Sequence, residues 1–140
     1  VALEEDNLPD SEILTGAYGG LVIVDGETHV VRVVHYTAQQ YFDRCHVQQL
    51  LTAKLSLTKA SLTYLTLPNF SDGVCTRDID MARRLSNYPF LDYAARHWGS
   101  EAGDLDTESL LPHIRKLTSS PTAIQVASQT GSIGAFRYQH

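Results

Sequence analysis

Six histidines, two cysteines and sixteen carboxylates are the side chains with which this 140-residue chain could do chemistry. A zinc site draws its ligands in pairs at turn or helix spacing. Here Cys45 and His46 are adjacent, Cys75 stands alone, and His29 and His35 flank a run of valines. A phosphate cradle needs G-x-x-x-x-G-K-[ST], which is absent; Gly19-Gly20 lacks a following Lys and enters a strand, not a helix. A serine nucleophile would sit in a G-x-S-x-G elbow, also absent, and Gly99-Ser100 and Gly131-Ser132-Ile133-Gly134 read as loop. His35 could act with Asp25 or Cys45 only if the fold joined them, and no spacing argues that it does. The expectation is a non-enzyme with no catalytic, cofactor-binding or metal-ligating residue. Tyr88, Phe90, Tyr93 and Trp98 could stack on bases, but with Leu91 and Ala94 at helical spacing they read as core. Arg83-Arg84 reads as a solvated spot or an ion pair with Asp78 or Asp80.

The elements that would position these residues can be read from period and punctuation. Pro9 and the acids Asp10 and Glu12 suit the start of a short helix over Asp10–Tyr18, ended by Gly19-Gly20. Leu21–Asp25 reads as a strand, Asp25-Gly26 as a hairpin turn with Gly26 at positive φ, and His29–His35 as the valine-rich return strand. Thr37 and Gln40 have capping-box spacing, which predicts a helix from Thr37 to about Arg44. Val47–Leu67 mixes helical leucine spacing with strand-like Ser/Thr alternation, and its length favours helix. A helix over Asp78–Ser86, capped by Thr76, would bury Ile79, Ala82 and Leu85. Phe90, Leu91, Ala94, Ala95 and Trp98 form an amphipathic stripe. That stripe predicts a buried face of Phe90, Leu91, Ala94 and Trp98, between Pro89 and Gly99, with Tyr93 and His97 nearer its edge. An acidic loop over 101–107 follows. Leu110–Leu117 would be helical with Pro112 in its first turn, and a last helix would run from Ser120-Pro121 to about Gln129, ending at Gly131. The fold class is therefore mainly α with one β-hairpin.

Apolar residues make up 43% and charged residues 19%, an ordinary globular balance. The net charge of −5 argues against broad attraction to nucleic acid or an anionic membrane. No apolar run approaches the ~20 residues of a membrane span, and two cysteines fit a reducing compartment, so a cytoplasmic location is expected. Residues 1–30 hold seven acids and no Lys or Arg, whereas residues 31–70 hold four bases and one acid. Val1 stands where an initiating Met would, which reads as a piece of a longer protein or a processed product.

Two stretches carry a resemblance. Glu5-Asp6-Asn7-Leu8-Pro9-Asp10, then Gly20-Leu21-Val22-Ile23-Val24-Asp25, then Arg32-Val33-Val34-His35-Tyr36-Thr37-Ala38-Gln39-Gln40-Tyr41-Phe42 resemble the region after the NACHT nucleotide-binding domain of fungal STAND (NLR-like) proteins. There an E-D-N-L-P loop leads to a winged-helix hairpin, and R-L-V-H-Y-T-x-Q-E-Y enters the next helix. Tyr88-Pro89-Phe90-Leu91-Asp92-Tyr93-Ala94-Ala95-Arg96-His97-Trp98-Gly99 is similar to the Y-P-L-L-D-Y-A-A-R-x-W-G stretch of the helical region downstream. The resemblance covers residues 3–99 well and 100–131 loosely. It implies the C-terminal part of a winged helix over 1–45, a helical arm over 46–131, and a tail or linker toward ankyrin repeats over 132–140. It also implies a role, as a non-catalytic relay coupling a NACHT NTPase to a C-terminal repeat sensor. The partners would be upstream NACHT and winged-helix elements and downstream ankyrin repeats, with no nucleic acid, membrane or cofactor. His35, Tyr36, Thr37, Gln40, Phe90, Leu91 and Trp98 would be its structural and interaction residues, with the His35 ring hydrogen-bonding the strand–helix junction. The winged helix also carries a family label taken from GPI inositol deacylase, but these residues support no deacylase.

A winged-helix DNA binder is the alternative. Its recognition helix would be Asp10–Tyr18, with Asp10 and Glu12 and no base, and its wing would turn on Asp25-Gly26-Glu27. Phosphates repel both. The expected outcome of a duplex-binding titration at physiological salt is therefore nothing tighter than the non-specific range of about 10⁻⁴–10⁻⁶ M. Sub-micromolar binding that weakens steeply with salt would reverse that reading.

Overall fold

The computed structural model describes residues 11–17, 19–27, 30–103 and 105–137. It is mainly α with one two-stranded antiparallel β-hairpin, as the periodicity predicts. The chain divides into two units, Val1–Leu50 and Leu51–His140. Among the described residues, no helix is long and apolar enough to cross a membrane.

In the first unit, helix α1 (Ser11–Ala17) stops at Gly19 and Gly20, whose φ values of 57° and 79° are left-handed and cheap only for glycine. Pro9, Asp10 and Tyr18, expected at the two ends of this helix, lie outside the described residues. Strands β1 (Val22–Val24) and β2 (Val31–Val33) pair Val22 with Val33, Ile23 with Arg32 and Val24 with Val31. The bonds Val34 N–H to Leu21 O, 2.9 Å, and Asp25 N–H to Val30 O, 3.0 Å, extend the register at both ends. The turn differs from expectation. Gly26 does not take a positive φ; instead the Asp25 carboxylate accepts the Glu27 N–H at 3.0 Å. The return strand is correspondingly shorter than His29–His35, and His29 lies outside the described residues.

Helix α2 (Tyr36–Cys45) also starts earlier than the Thr37 cap implies. His35, extended at φ −123° and ψ 133°, is its N-cap, and the His35 carbonyl accepts from Ala38 N–H (3.0 Å) and Gln39 N–H (3.2 Å). Thr37 is thus inside the first turn, no side chain caps the helix, and the Thr37–Gln40 box is not formed. No described side chain from Glu12 to Leu50 is buried.

Helix α3 (Val47–Leu65) resolves the ambiguous segment. Its hydroxyls fold back on the preceding turn: Ser56 to Thr52 O, Thr58 to Lys54 O and Thr63 to Lys59 O, at 2.8–3.0 Å. Ser/Thr alternation is tolerated in a helix on these terms. Within the second unit α3 buries Thr58, Ser61, Leu62, Tyr64 and Leu65. A 3-10 turn (Pro68–Phe70) leads on to α4 (Asp78–Asn87), α5 (Phe90–Ala102), α6 (Thr107–Thr118) and α7 (Pro121–Arg137). The core joins Leu62, Leu65, Phe70, Leu91, Ala94, Leu110, Leu117 and Val126, all essentially inaccessible.

Four boundaries or faces move relative to expectation. Helix α4 turns Met81, Arg84 and Leu85 inward and leaves Ile79 71% exposed, because the Arg84 guanidinium is tied to Gly73 O at 2.7 Å. Its N-cap is Arg77, not Thr76. Helix α5 runs through Gly99 to Ala102, since Glu101, expected in a loop, is held by Tyr93 and Thr58. Helix α6 begins at Thr107 because Asp106 caps it, accepting from Glu108 N–H at 3.3 Å, which places Pro112 in the second turn. Burial of Leu110 and Leu117 holds the helix across that break. Helix α7 continues through Gly131 to Arg137.

Gly99 sits in an exposed turn of α5, and a Cβ there would meet nothing within 4 Å. Gly99→Ala is expected to raise the unfolding free energy by about 0.5–1 kcal/mol, the backbone-entropy penalty of glycine in a helix. A denaturant titration measures it; a loss of stability would mean that the helix ends at Gly99 after all.

Candidate interaction surfaces

The residues expected to interact fall into separate places. In the first unit, Tyr36 is 72% exposed, His35 and Thr37 are exposed and Gln40 is half-buried. His35 serves the junction through its backbone carbonyl, with no side-chain cap hydrogen bond, so the expected ring contact is replaced by a main-chain one. Tyr41, Phe42 and His46 form a small ring cluster at the end of α2, with centroids 5.4–5.8 Å apart.

In the second unit, the α5 stripe is only partly the buried face it reads as. Leu91 and Ala94 are fully buried, Phe90 and Trp98 are half-buried, Tyr93 is half-buried and His97 is exposed. Phe90 belongs to a chain of rings. Phe70 meets Tyr88 at 5.1 Å and Tyr64 at 5.8 Å, Tyr64 meets Phe90 at 5.2 Å, and Phe90 stacks on Tyr93 at 5.5 Å. Tyr93 in turn meets the His97 ring at 4.7 Å. Such offset and edge contacts favour a fixed packing over a base-stacking platform. The Asn69 amide donates to Tyr88 Oη at 3.1 Å, fixing one end of the chain. Burial, and then the neighbouring Tyr88, raise the Tyr64 phenol above its ordinary value.

The polar end of this ring chain is Glu101, expected in a loop and found in the last turn of α5. Tyr93 Oη donates to Glu101 Oε1 at 2.6 Å, and Thr58 Oγ1 lies 3.4 Å from Glu101 Oε2. The bond to Glu101, helped by burial, pushes the Tyr93 phenol up to about 12. The Glu101 carboxylate, bonded within α5 to Tyr93, is what links α5 to α3 through Thr58, and a phenol held this firmly protonated is a poor proton donor at neutral pH. The Tyr93–Glu101 spacing of two helical turns was a legible signal.

Trp98 opens onto a groove of about 370 Å³ with Ala95, Leu117, Ile124, Ala127 and Gly131 among its lining. Beside it, Gln129 clamps the loop after the 3-10 turn. Its amide accepts Cys75 N–H at 2.9 Å and donates to Cys75 O at 2.7 Å, as a strand neighbour would. Nothing in the sequence signals that pair, which spans two distant segments. At the start of α4, Asp80 takes both Arg77 (2.7 Å) and Arg83 (3.1 Å), which holds its carboxyl below the usual range, mainly through the Arg77 hydrogen bond. Asp92 pairs with Arg96 one turn on. Among the described residues, no three His, Cys, Asp or Glu side chains gather into a metal-sized cluster. No protein-family model, curated protein or solved structure matches the chain.

The Tyr93 shift sets a pH dependence. The folded value lies above the ordinary 10.0, so the stabilisation is complete below pH 10 and is lost as pH rises from about 10 to 12. Denaturation midpoints measured from pH 8 to 12 should therefore fall more steeply for the native sequence than for Tyr93→Phe. Parallel curves would show that the Tyr93–Glu101 bond contributes nothing to stability.

Proposed function

We propose that this chain is a non-catalytic relay and interaction segment of a NACHT-type signalling NTPase, coupling its nucleotide-binding domain to a C-terminal repeat sensor in the cytoplasm. The observation that supports this reading is the contrast between the two units. Residues 51–132 bury a continuous apolar core, whereas no described side chain of residues 12–50 is buried although the hairpin is rich in valine and isoleucine. A two-stranded sheet is marginal alone and gains stability by packing. Contiguous exposed apolar surface on a small unit marks a contact with another module.

One face of the hairpin fits that contact. Val22, Val24, Val31 and Val33 alternate onto the same side, carry no charge, and include Val31 at 56% and Val33 at 38% exposure. Winged-helix and NACHT elements would cover it. A nucleotide-dependent movement of the NACHT domain would then pull on the hairpin directly, and α2 follows β2 after only Val34 and His35.

The test is co-purification and thermal melting of the full chain with a NACHT–winged-helix module supplied in trans. Binding is expected, together with a rise in melting temperature of at least about 5 °C at saturating module, and Val31→Asp should abolish both. A chain that melts sharply at high temperature, and that the module neither binds nor shifts, would remove the physical basis of the relay.

A further inference from the structure

The other face of the hairpin is different in kind. Leu21, Ile23, Val30 and Val34 project there between 43% and 51% exposed, and two charges lie among them, Asp25 and Arg32. Arg32 stands opposite Ile23 in the ladder and Asp25 opposite Val30, so the two charges are diagonal neighbours about 7–8 Å apart. The Arg32 guanidinium makes no hydrogen bond or ion pair among the described residues. Asp25 accepts the Glu27 N–H through Oδ1 and keeps its negative charge on this face.

An arginine with no partner among the described residues, at the centre of an apolar patch, is the composition of a protein–protein contact, where Arg is enriched and most other charges are depleted. The charge pattern says which protein. A patch with Arg32 alone would call for an acidic partner. With Asp25 on the same face, the pattern that complements it is the same pattern turned about a two-fold axis. Sheets stack about 10 Å apart, with interdigitating side chains. An axis lying between two such hairpins, through the midpoint of Asp25 and Arg32, sets each Arg32 over the Asp25 of the other copy twice, while Leu21, Ile23, Val30 and Val34 fill the rest. Nucleic acid fits poorly, since Asp25 and Glu27 would face its phosphates.

We propose that the hairpin face bearing Leu21, Ile23, Asp25, Val30, Arg32 and Val34 is a two-fold self-association surface on which a second copy of this chain packs with its Asp25 against Arg32. Six side chains fall well short of the roughly 20–30 residues a side of a stable complex, so the dimer is weak and forms where copies are concentrated. This inference does not rest on the relay reading, which uses the opposite, valine face.

Sedimentation velocity of the full 140-residue chain between about 5 and 500 µM tests it, the range where a patch of this size would associate. A monomer at the low end and predominantly dimer at the high end is expected. Arg32→Asp, Asp25→Lys and Ile23→Lys should each weaken the dimer at least about tenfold, the cost of like charges opposed across a contact, with melting curves confirming that each chain still folds. An equimolar mixture of the Arg32→Asp and Asp25→Lys chains should dimerise again, because their faces are then complementary. If Asp25→Lys loses the turn, zero-length carbodiimide coupling of the Arg32→Lys chain replaces the mixture, with a covalent dimer mapped between positions 32 and 25 as the expected product. A chain monomeric at 500 µM overturns the proposal. So does a dimer indifferent to Ile23→Lys and Arg32→Asp, or a folded mixture that fails to pair. Val31→Asp should leave this dimer intact while abolishing capture by the NACHT module, so the two readings fail separately.

Discussion

The seat of α7 on α5 is the contact on which the helical unit depends. Helix α7 has no charged residue between Pro121 and Phe136, so nothing but packing and hydrogen bonds can place it. Ala123, Val126, Ala127 and Thr130 are buried along it. Gly131 comes so close to α5 that a Cβ on it would lie 3.6 Å from Ala95 O, already at van der Waals contact. With small residues at the crossing, the two backbones approach closely and the larger side chains Leu91, Leu110 and Leu117 close the space around them. The Gln129 amide then uses α7 as a fixed post for the Cys75 loop, while Arg84 holds Gly73 of the same loop from α4. The loop between the 3-10 turn and α4 is therefore ordered by two side chains from two different helices. Main-chain groups left unsatisfied cost up to about 1–3 kcal/mol each when buried, which gives the part-buried Cys75 pair its reason for Gln129 on α7.

What could be read from the sequence, and what could not, follows from the range of the interactions concerned. The hairpin, the mainly helical remainder and the core status of Leu91 and Ala94 rest on local period, and local period is visible in a single chain. The misplacements all involve a distant group. Gly99 reads as a helix end because glycine is a poor helix former, yet Glu101 gains Tyr93 and Thr58 by staying helical. Pro112 reads as a first-turn residue, yet the leucines on either side are worth more buried than the one backbone bond it forfeits. Ile79 fits a stripe with Ala82 and Leu85 as well as Met81 fits one with Leu85, and the burial of Met81 together with the Arg84–Gly73 bond goes with the second. At Thr37 and Gly26 the competing choice was local but finer than a pattern resolves. An extended His35 carbonyl begins α2 without a side-chain cap, and the Asp25 carboxylate builds the turn without a left-handed glycine.

The surfaces divide along the same line. In residues 51–132 nearly every aromatic residue has a ring or a hydrogen-bond donor against it, and Tyr93 is held so firmly by Glu101 that its proton is unavailable at neutral pH. Chemistry at neutral pH favours groups poised to gain and lose protons, whereas this arrangement spends its polar groups on holding helices together. The first unit is the reverse: its two strands are paired, and none of its described apolar side chains is buried. A sheet whose backbone is satisfied but whose faces are not has its stability decided by what it touches.

The two faces of that hairpin would not compete for one partner. A face of four valines without charge discriminates little by itself; its selectivity must come from shape and from being tethered beside its target, as a contact within one protein is. A face with one cation and one anion at a fixed diagonal rejects most partners by leaving a desolvated charge unpaired, and it accepts a surface with the mirrored order of charges. The first kind of face suits an intramolecular neighbour always present at high effective concentration; the second suits an encounter between separate molecules. Because strand alternation assigns Ile23 and Arg32 to one side and Val22, Val24, Val31 and Val33 to the other, a slip of one residue in the register would exchange the two sets. The register is closed at its ends by the Asp25–Val30 and Val34–Leu21 main-chain bonds, and these bonds therefore also hold which side chains share a face.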